Sequence, residues 1–110
     1  PAAVARGGEA GGVAQAEVPA RFDVAYLENR PPAYPRLSRR MGEEGRVVLR
    51  VHVSPEGRAD TVELASSSGW PRLDAAAREA VAGWRFEPAR RGSERVAAWV
   101  QVPVVFSLKD

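Results

Sequence analysis

Residues 46–53 alternate strictly between the two faces of a strand, and this period of two predicts the first strand of the domain. One face carries Val47, Leu49, Val51 and Val53, and the other carries Arg46, Val48, Arg50 and His52. The turn sequence SPEG at 54–57 follows, with proline at its second position and glycine at its end. Residues 58–65 then return as a second strand, so the two strands form an antiparallel hairpin.

Helical spacing replaces the alternation after Gly69. Apolar residues share one stripe of a predicted helix that runs from Pro71 to about Gly83, namely Leu73, Ala77, Ala80, Val81 and Trp84. A second, short helix is predicted over residues 34–41, because Pro35 suits a first turn and Gly42 suits a stop. Leu37 and Met41 share one face of that helix.

A long final strand is predicted over residues 94–108. Its even-numbered side chains form one apolar face: Val96, Ala98, Val100, Val102, Val104, Phe106 and Leu108. A helical crossover makes this strand parallel to the second strand, so purely antiparallel pairing requires it to lie beside the first. The predicted fold is therefore α+β: a three-stranded antiparallel sheet of order 2-1-3, with the main helix on one face and the short helix N-terminal to it.

The free edge of the final strand needs a partner, since long apolar edges invite another strand. Pro103 supports the edge position because proline lacks a ladder donor. Residues 22–27 could form an extra N-terminal strand that covers this edge. The alternatives are self-association into a homodimer and docking of another protein. Trp99, on the outer face, would pack under the N-terminal segment or contact a partner.

The first 21 residues consist largely of alanine and glycine and contain no aromatic residue before Phe22. Such a segment buries too little apolar surface to offset its ordering entropy. We therefore predict a flexible linker over residues 1–21 and a folded domain over 22–110. Because the chain starts at Pro1 and not at methionine, we expect it to be a fragment of a longer protein.

Composition argues against catalysis and against nucleic-acid binding. The chain has no cysteine and a single histidine, His52, so neither a metal site nor a cofactor site is expected. No set of carboxylates is arranged as a catalytic acid and base, so we do not expect an enzyme. A net charge of +2, with sixteen basic and fourteen acidic residues, is too balanced for a nucleic-acid-binding face.

An ordered set of motifs resembles the TonB C-terminal domain family. The most diagnostic are SSGWPRLD at 67–74 and WRFEP at 84–88, preceded by Tyr34-Pro35 and followed by VPVVF at 102–106. The resemblance covers about residues 30–108. It implies a periplasmic domain, tethered to the inner membrane in the full-length protein, that works with the ExbB–ExbD motor and the proton-motive force. The implied task is uptake of siderophores, haem or cobalamin through outer-membrane transporters.

In this family the final strand pairs with the TonB box, a short periplasmic segment of the transporter. Carried over, the resemblance implies a pairing edge at about Val102–Leu108 and a flanking contact at Pro31–Ala33. The partner-binding set that we predict extends these two segments and comprises Pro31, Pro32, Ala33, Tyr34, Trp99, Val100, Gln101, Val102, Pro103, Val104, Val105, Phe106, Ser107 and Leu108. Strand addition draws affinity from backbone hydrogen bonds and tolerates varied box sequences. The alternative is a TolA-like scaffold domain, or one dedicated to a single transporter.

Two arginine clusters are interpreted as solvated faces: Arg36, Arg39 and Arg40, and Arg90, Arg91 and Arg95. A less favoured interpretation is contact with acidic transporter segments or with peptidoglycan.

Overall fold

The fold is taken from a computed structural model that describes residues 2–5, 10–11, 18–23 and 27–109. In chain order the elements are β1 (Ala2–Ala5), β2 (Ala10–Gly11), α1 (Arg36–Met41), β3 (Gly45–Val53), β4 (Ala59–Ser66), α2 (Pro71–Ala82), β5 (Ala89–Arg91), β6 (Glu94–Val96) and β7 (Ala98–Ser107). No helix among these residues is long and apolar enough to span a bilayer.

The main sheet confirms the predicted strand order. Its order is β1-β7-β3-β4, with β2 also paired to β7, so β4-β3-β7 is the predicted 2-1-3 arrangement. All of these pairs are antiparallel. β3 and β7 pair without a register shift from Gly45 opposite Phe106 to Val53 opposite Ala98. This continuous ladder makes β3 and β7 the frame of the domain.

Helix α2 covers one face of the sheet, as predicted. It begins at Pro71, ends before Gly83, and buries Leu73, Ala77 and Val81. These side chains join the inward faces of the two long strands in one core, which also contains Val47, Leu49, Val51, Val53, Val100, Val102, Val104 and Phe106. Burying an apolar side chain of this size contributes about 1.5–3 kcal/mol each, so this layer dominates stability.

The prediction of one unbroken final strand over 94–108 is wrong. The strand is interrupted at Ala97, and β6 pairs with β5 in a separate two-stranded sheet. Gly92, with φ of +63°, lies in the turn between them. Val96 still packs against the core from β6, so the apolar alternation continues across the break and conceals it.

Helix α1 is confirmed at Arg36–Met41, and Gly42 ends it in the left-handed conformation with φ of +72°. Its apolar pair faces solvent: Leu37 is 46% and Met41 63% exposed. Ser38 is the buried residue of this helix.

The extra N-terminal strand was predicted over residues 22–27, of which residues 24–26 lie outside the described part of the chain. Phe22 itself is a core residue, stacked on Trp84 at 5.8 Å between ring centroids. Backbone bridges join Val18 to Arg90 and Arg21 to Glu87. Residues 18–22 are thus fastened along the segment that follows α2.

The predicted linker over residues 1–21 includes residues 1, 6–9 and 12–17, which lie outside the described residues. Within that range the structure also contains β1 and β2. No sequence pattern indicated these two strands, since alanine and glycine favour strands poorly.

Candidate functional site

The outer edge of β7, the one that faces away from β3, is the candidate binding edge. Burial of the even-numbered side chains holds β7 in the sheet: Val100, Val102, Val104 and Phe106 are all 0–1% exposed. Side chains so deeply buried are not available to a partner. A protein that binds this strand would therefore engage its backbone and its odd-numbered side chains.

The candidate binding edge already carries strands of the same chain. β1 pairs antiparallel with it from Ala2 opposite Ser107 to Ala5 opposite Val104. β2 pairs at Ala10 opposite Val100 and Gly11 opposite Trp99. Sequence analysis left three alternatives for this edge: cover by residues 22–27, self-association and docking of another protein. The structure places a different, more N-terminal part of the chain there.

Residues 101–103 lie between the stretches of β7 that β1 and β2 pair with. Pro103, in this interval, is buried and stands opposite Val48 of β3. A proline has no N–H to give to a neighbouring strand, so an interruption of the outer ladder is best tolerated here.

Tyr34, at the end of the predicted 31–34 segment, contacts β7. Its ring meets Phe106 edge-on at 5.3 Å between centroids. Its hydroxyl donates to the backbone carbonyl of Glu43. Burial, followed by the negative charges of Glu44 and Glu43, raises the pKa of the Tyr34 hydroxyl, so the group stays a donor.

The end of β7 is tied to the loop before β3. The Leu108 backbone N–H donates to Glu44 Oε2 at 2.5 Å, and Trp70 Nε1 donates to the Glu44 carbonyl at 3.2 Å. The backbone donor of Leu108, at the end of the predicted binding set, is thereby engaged within the domain.

Pro31, Pro32 and Ala33 line a groove against the C-terminal end of α2 and not against β7. The groove has a volume of about 460 Å³, and its other walls include Ala80 and Trp84. Pro32 is buried, whereas Pro31 and Ala33 are exposed. The structure therefore separates this part of the predicted set from the binding edge.

Two side chains fix the segment that leads into this groove. Trp84 Nε1 donates to the Arg30 carbonyl at 2.8 Å. Asn29 donates through Nδ2 to the carbonyls of Phe22 and Arg85 and accepts the Arg85 N–H through Oδ1 at 2.8 Å. Sequence analysis did not single out Asn29, because a lone asparagine in a loop carries no pattern.

Trp99 packs on the outer face of its own sheet. The Arg50 guanidinium lies 4.4 Å from its ring centroid, and the His52 ring meets it at 5.0 Å. His52 Nδ1 lies 2.6 Å from Asp60 Oδ1. His52 is thus an outward-facing strand residue, as predicted, and no group of three or more potential metal ligands occurs among the described residues.

An ion pair between buried Glu43 and half-exposed Arg72 supports the loop to which Tyr34 and Leu108 are hydrogen-bonded. Glu43 is 2% exposed, and its Oε2 lies 2.5 Å from Arg72 Nη2 on α2. Burial opposes ionisation of this carboxyl, but the neighbouring Ser38 hydroxyl and the hydrogen bond and charge of Arg72 outweigh it, so the pKa of Glu43 is lowered. The sequence gives both charges but not their pairing, since they lie 29 positions apart.

Comparison with known proteins agrees with this architecture. The family described as the Gram-negative bacterial TonB protein C-terminal matches residues 30–108. The protein named tonB2 of Pseudomonas aeruginosa is 45% identical over 86 residues, which are 78% of this chain and 32% of that protein. A TonB protein of Neisseria meningitidis serogroup C is 46% identical over 79 residues, 70% of this chain and 26% of its own.

A solved structure matches nearly the whole chain. The solution NMR structure of the Pseudomonas aeruginosa TonB CTD is similar with a TM-score of 0.66 and 27% identity, over 94% of this chain and 96% of that one. The curated relatives are much longer proteins, of which this chain spans about a third or less.

Proposed function

This chain belongs to the family of Gram-negative bacterial TonB protein C-terminal domains, and from that premise we propose that it binds the TonB box of outer-membrane transporters by adding the box as a strand to β7. Family membership also confirms the expectation that the chain is not an enzyme. In the proposal the domain acts in the periplasm, where it reaches transporters from the inner side.

The observation that carries this proposal is the position of β7. It is a ten-residue strand with nine register positions on β3 and, among the described residues, two short strands on its other side. A rigid strand with one lightly used edge suits strand addition, in which backbone hydrogen bonds supply affinity.

The proposed contacts divide by chemistry. The backbone of Trp99–Ser107 would pair with the box, while Trp99, Gln101 and Val105 on the outer face would meet alternate side chains of the box. Pro31–Ala33 would contact a separate part of the transporter through their groove, because this groove lies against α2. Tyr34 would connect the two regions through its contact with Phe106.

The wider role is proposed for the whole protein, of which such a domain is one part. It comprises coupling to the ExbB–ExbD motor and the proton-motive force, an inner-membrane tether, and uptake of siderophores, haem or cobalamin. Weak contact of the arginine clusters with peptidoglycan belongs to the same proposal.

The test is a titration of the nitrogen-15-labelled chain with box peptides from transporters of the source organism. We expect amide shifts concentrated on β7 and on residues 29–34. No shift at about 1 mM peptide would contradict the proposal and favour a TolA-like role.

Matched peptides separate backbone pairing from side-chain binding. In one peptide the odd-numbered amides are N-methylated, and in the other the even-numbered ones. Only one set of amides in a strand faces its neighbour, so one methylated peptide should lose binding and the other should keep it. Equal behaviour of the two peptides would contradict strand addition. Binding of a single box from a broad panel would favour a domain dedicated to one transporter.

A further inference from the structure

We propose that the N-terminal segment formed by β1 and β2 is a built-in competitor for the candidate binding edge, which a transporter box must displace before it can pair with β7. This inference rests on the proposed function, because it concerns access to the same edge. The occupant is identified directly: it is residues 2–5 and 10–11 of this chain.

The two occupants would need the same atoms. The segment pairs with Val104–Ser107 and with Trp99 and Val100, which all belong to the proposed binding set. β3 takes the other edge of β7 along nearly its whole length. Each strand presents only one row of N–H and C=O groups per edge, so the segment and a box cannot pair with these residues together.

The N-terminal segment pairs with β7 more weakly than β3 does, which would make it easier to displace. It pairs at four positions through β1 and two through β2, whereas β3 pairs at nine without interruption. Ala5 pairs with Val104 and Ala10 pairs with Val100, so five residues of the segment correspond to four residues of β7. β1 and β2 therefore differ in register on β7 by one residue. Its residues are alanine, valine and glycine, and alanine and glycine are depleted in strands.

Tethering compensates for this weak pairing. A segment on the same chain competes at an effective concentration in the millimolar range without any new contact. A box peptide then binds with an apparent affinity reduced by the fraction of molecules whose edge is open. We expect release of the segment to tighten peptide binding by about tenfold, which corresponds to an edge that is open in about one molecule in ten.

The test uses the complete chain with the double substitution Ala3→Pro/Val4→Pro. Neighbouring residues of a strand point their N–H groups to opposite sides, so either residue 3 or residue 4 donates to β7. Replacing both with proline removes that donor in either case. The matched control is Ala3→Ser/Val4→Thr, which alters the same two side chains but keeps both donors. Amide shifts of α2 report that the domain remains folded.

Two readouts are taken on each protein: hydrogen exchange of the β7 amides that face β1, and the dissociation constant of a TonB-box peptide. At about 1 µM protein, below the range in which an uncovered edge would pair with a second copy, we expect the proline variant to lose protection at the amides of Val104–Ser107 that face β1 and to bind the peptide about tenfold more tightly, while the control behaves as the parent chain.

The outcomes separate the two proposals. Equal peptide affinity of the parent chain and the proline variant, with shifts on β7 in both, would overturn the competitor alone and leave the proposed function standing. Fast exchange of the β7 outer amides in the parent chain would also overturn it. Absence of peptide binding to both proteins would overturn the proposed function and, with it, the competition.

Discussion

Gly57 occupies a position that no other residue can take without cost. Its φ is +83°, and a Cβ built there would stand 2.3 Å from the Phe86 carbonyl oxygen. Its own carbonyl accepts the Phe86 N–H at 2.9 Å, so the β3–β4 turn and the segment after α2 are in direct contact here. The glycine of the turn thus serves tertiary contact as well as turn geometry.

We expect Gly57→Ala to lower the free energy of unfolding by about 3 kcal/mol, because backbone strain and a steric clash add. Gly42→Ala is the matched control: its φ is +72°, but no atom lies within 4 Å of the built Cβ. The control should cost only about 1 kcal/mol. Urea denaturation measures both, and equal losses would show that the contact with Phe86 is unimportant.

The Glu43–Arg72 pair predicts how stability depends on pH. The pKa of Glu43 is lowered from 4.5 in the folded chain, so the unfolded chain binds the proton first as the pH falls. The stabilisation is therefore complete above the unfolded pKa and is lost as the pH falls through the folded one. Asp74 adds to the trend: burial opposes its ionisation, but hydrogen bonds from Ser67 and Ser68 lower its pKa.

We expect Glu43→Gln to flatten the loss of stability below about pH 4.5, because it removes one of the groups that titrate differently in the two states. The measurement is the urea midpoint from pH 3 to pH 7. Glu79→Gln, at an exposed position of α2, makes the same chemical change away from the ion pair and is the control. A parent-like profile for Glu43→Gln would contradict the assignment.

At the scale of elements, residues 18–22 act as a strap that holds the chain against the segment after α2. Phe22 stacks on Trp84 and meets Phe86 edge-on at 6.4 Å. The flanking bridges tie Val18 and Arg21 to the same segment. The family match begins only at residue 30, so residues 18–22 lie outside the matched part although their partners lie inside it.

We expect Phe22→Ala to cost about 3 kcal/mol, since it empties a buried aromatic site between two other rings. Val18→Ala, on the exposed side of the same strap, should change stability by less than about 0.5 kcal/mol. Urea denaturation of both variants tests whether the folded domain extends to the strap. A loss below 1 kcal/mol for Phe22→Ala would place the strap outside the cooperative unit.

The elements that sequence analysis predicted best are those whose pattern and packing agree. β3 and α2 have clear periods of two and 3.6, and the structure buries the predicted face of each. The break between β6 and β7 escaped because Val96 and Ala98 continue one apolar face across it. The position of α1 was predicted from Gly42, which ends the helix. Its buried face was not, because two apolar residues, Leu37 and Met41, in a six-residue helix do not show which face packs against the core.

At the scale of the molecule, the sequence predicted a free edge of the final strand, with residues 22–27, a second copy or another protein as its possible partners. It did not predict that β1 and β2 cover this edge. The resemblance indicated the edge itself as the site, through VPVVF at 102–106. The occupant could not be predicted, because backbone pairing requires no particular side chains and residues 2–11 carry no strand period.

The covered edge leads to a prediction about oligomeric state. An open ten-residue edge is a template for a second copy, which would pair β7 with β7 about a two-fold axis. β1 and β2 cover that template, so we expect the parent chain to sediment as a monomer of 11.9 kDa. A protein concentration of about 100 µM is high enough to reveal weak dimers.

The Ala3→Pro/Val4→Pro variant should instead gain mass with concentration, because its uncovered edge pairs with another copy. A TonB-box peptide should return this variant to a monomer by pairing with the same edge. The control Ala3→Ser/Val4→Thr should be a monomer without added peptide. Sedimentation equilibrium over a tenfold concentration range measures each case. A parent chain that already dimerises, indifferent to added peptide, would mean that self-association and not a transporter box is what this edge serves.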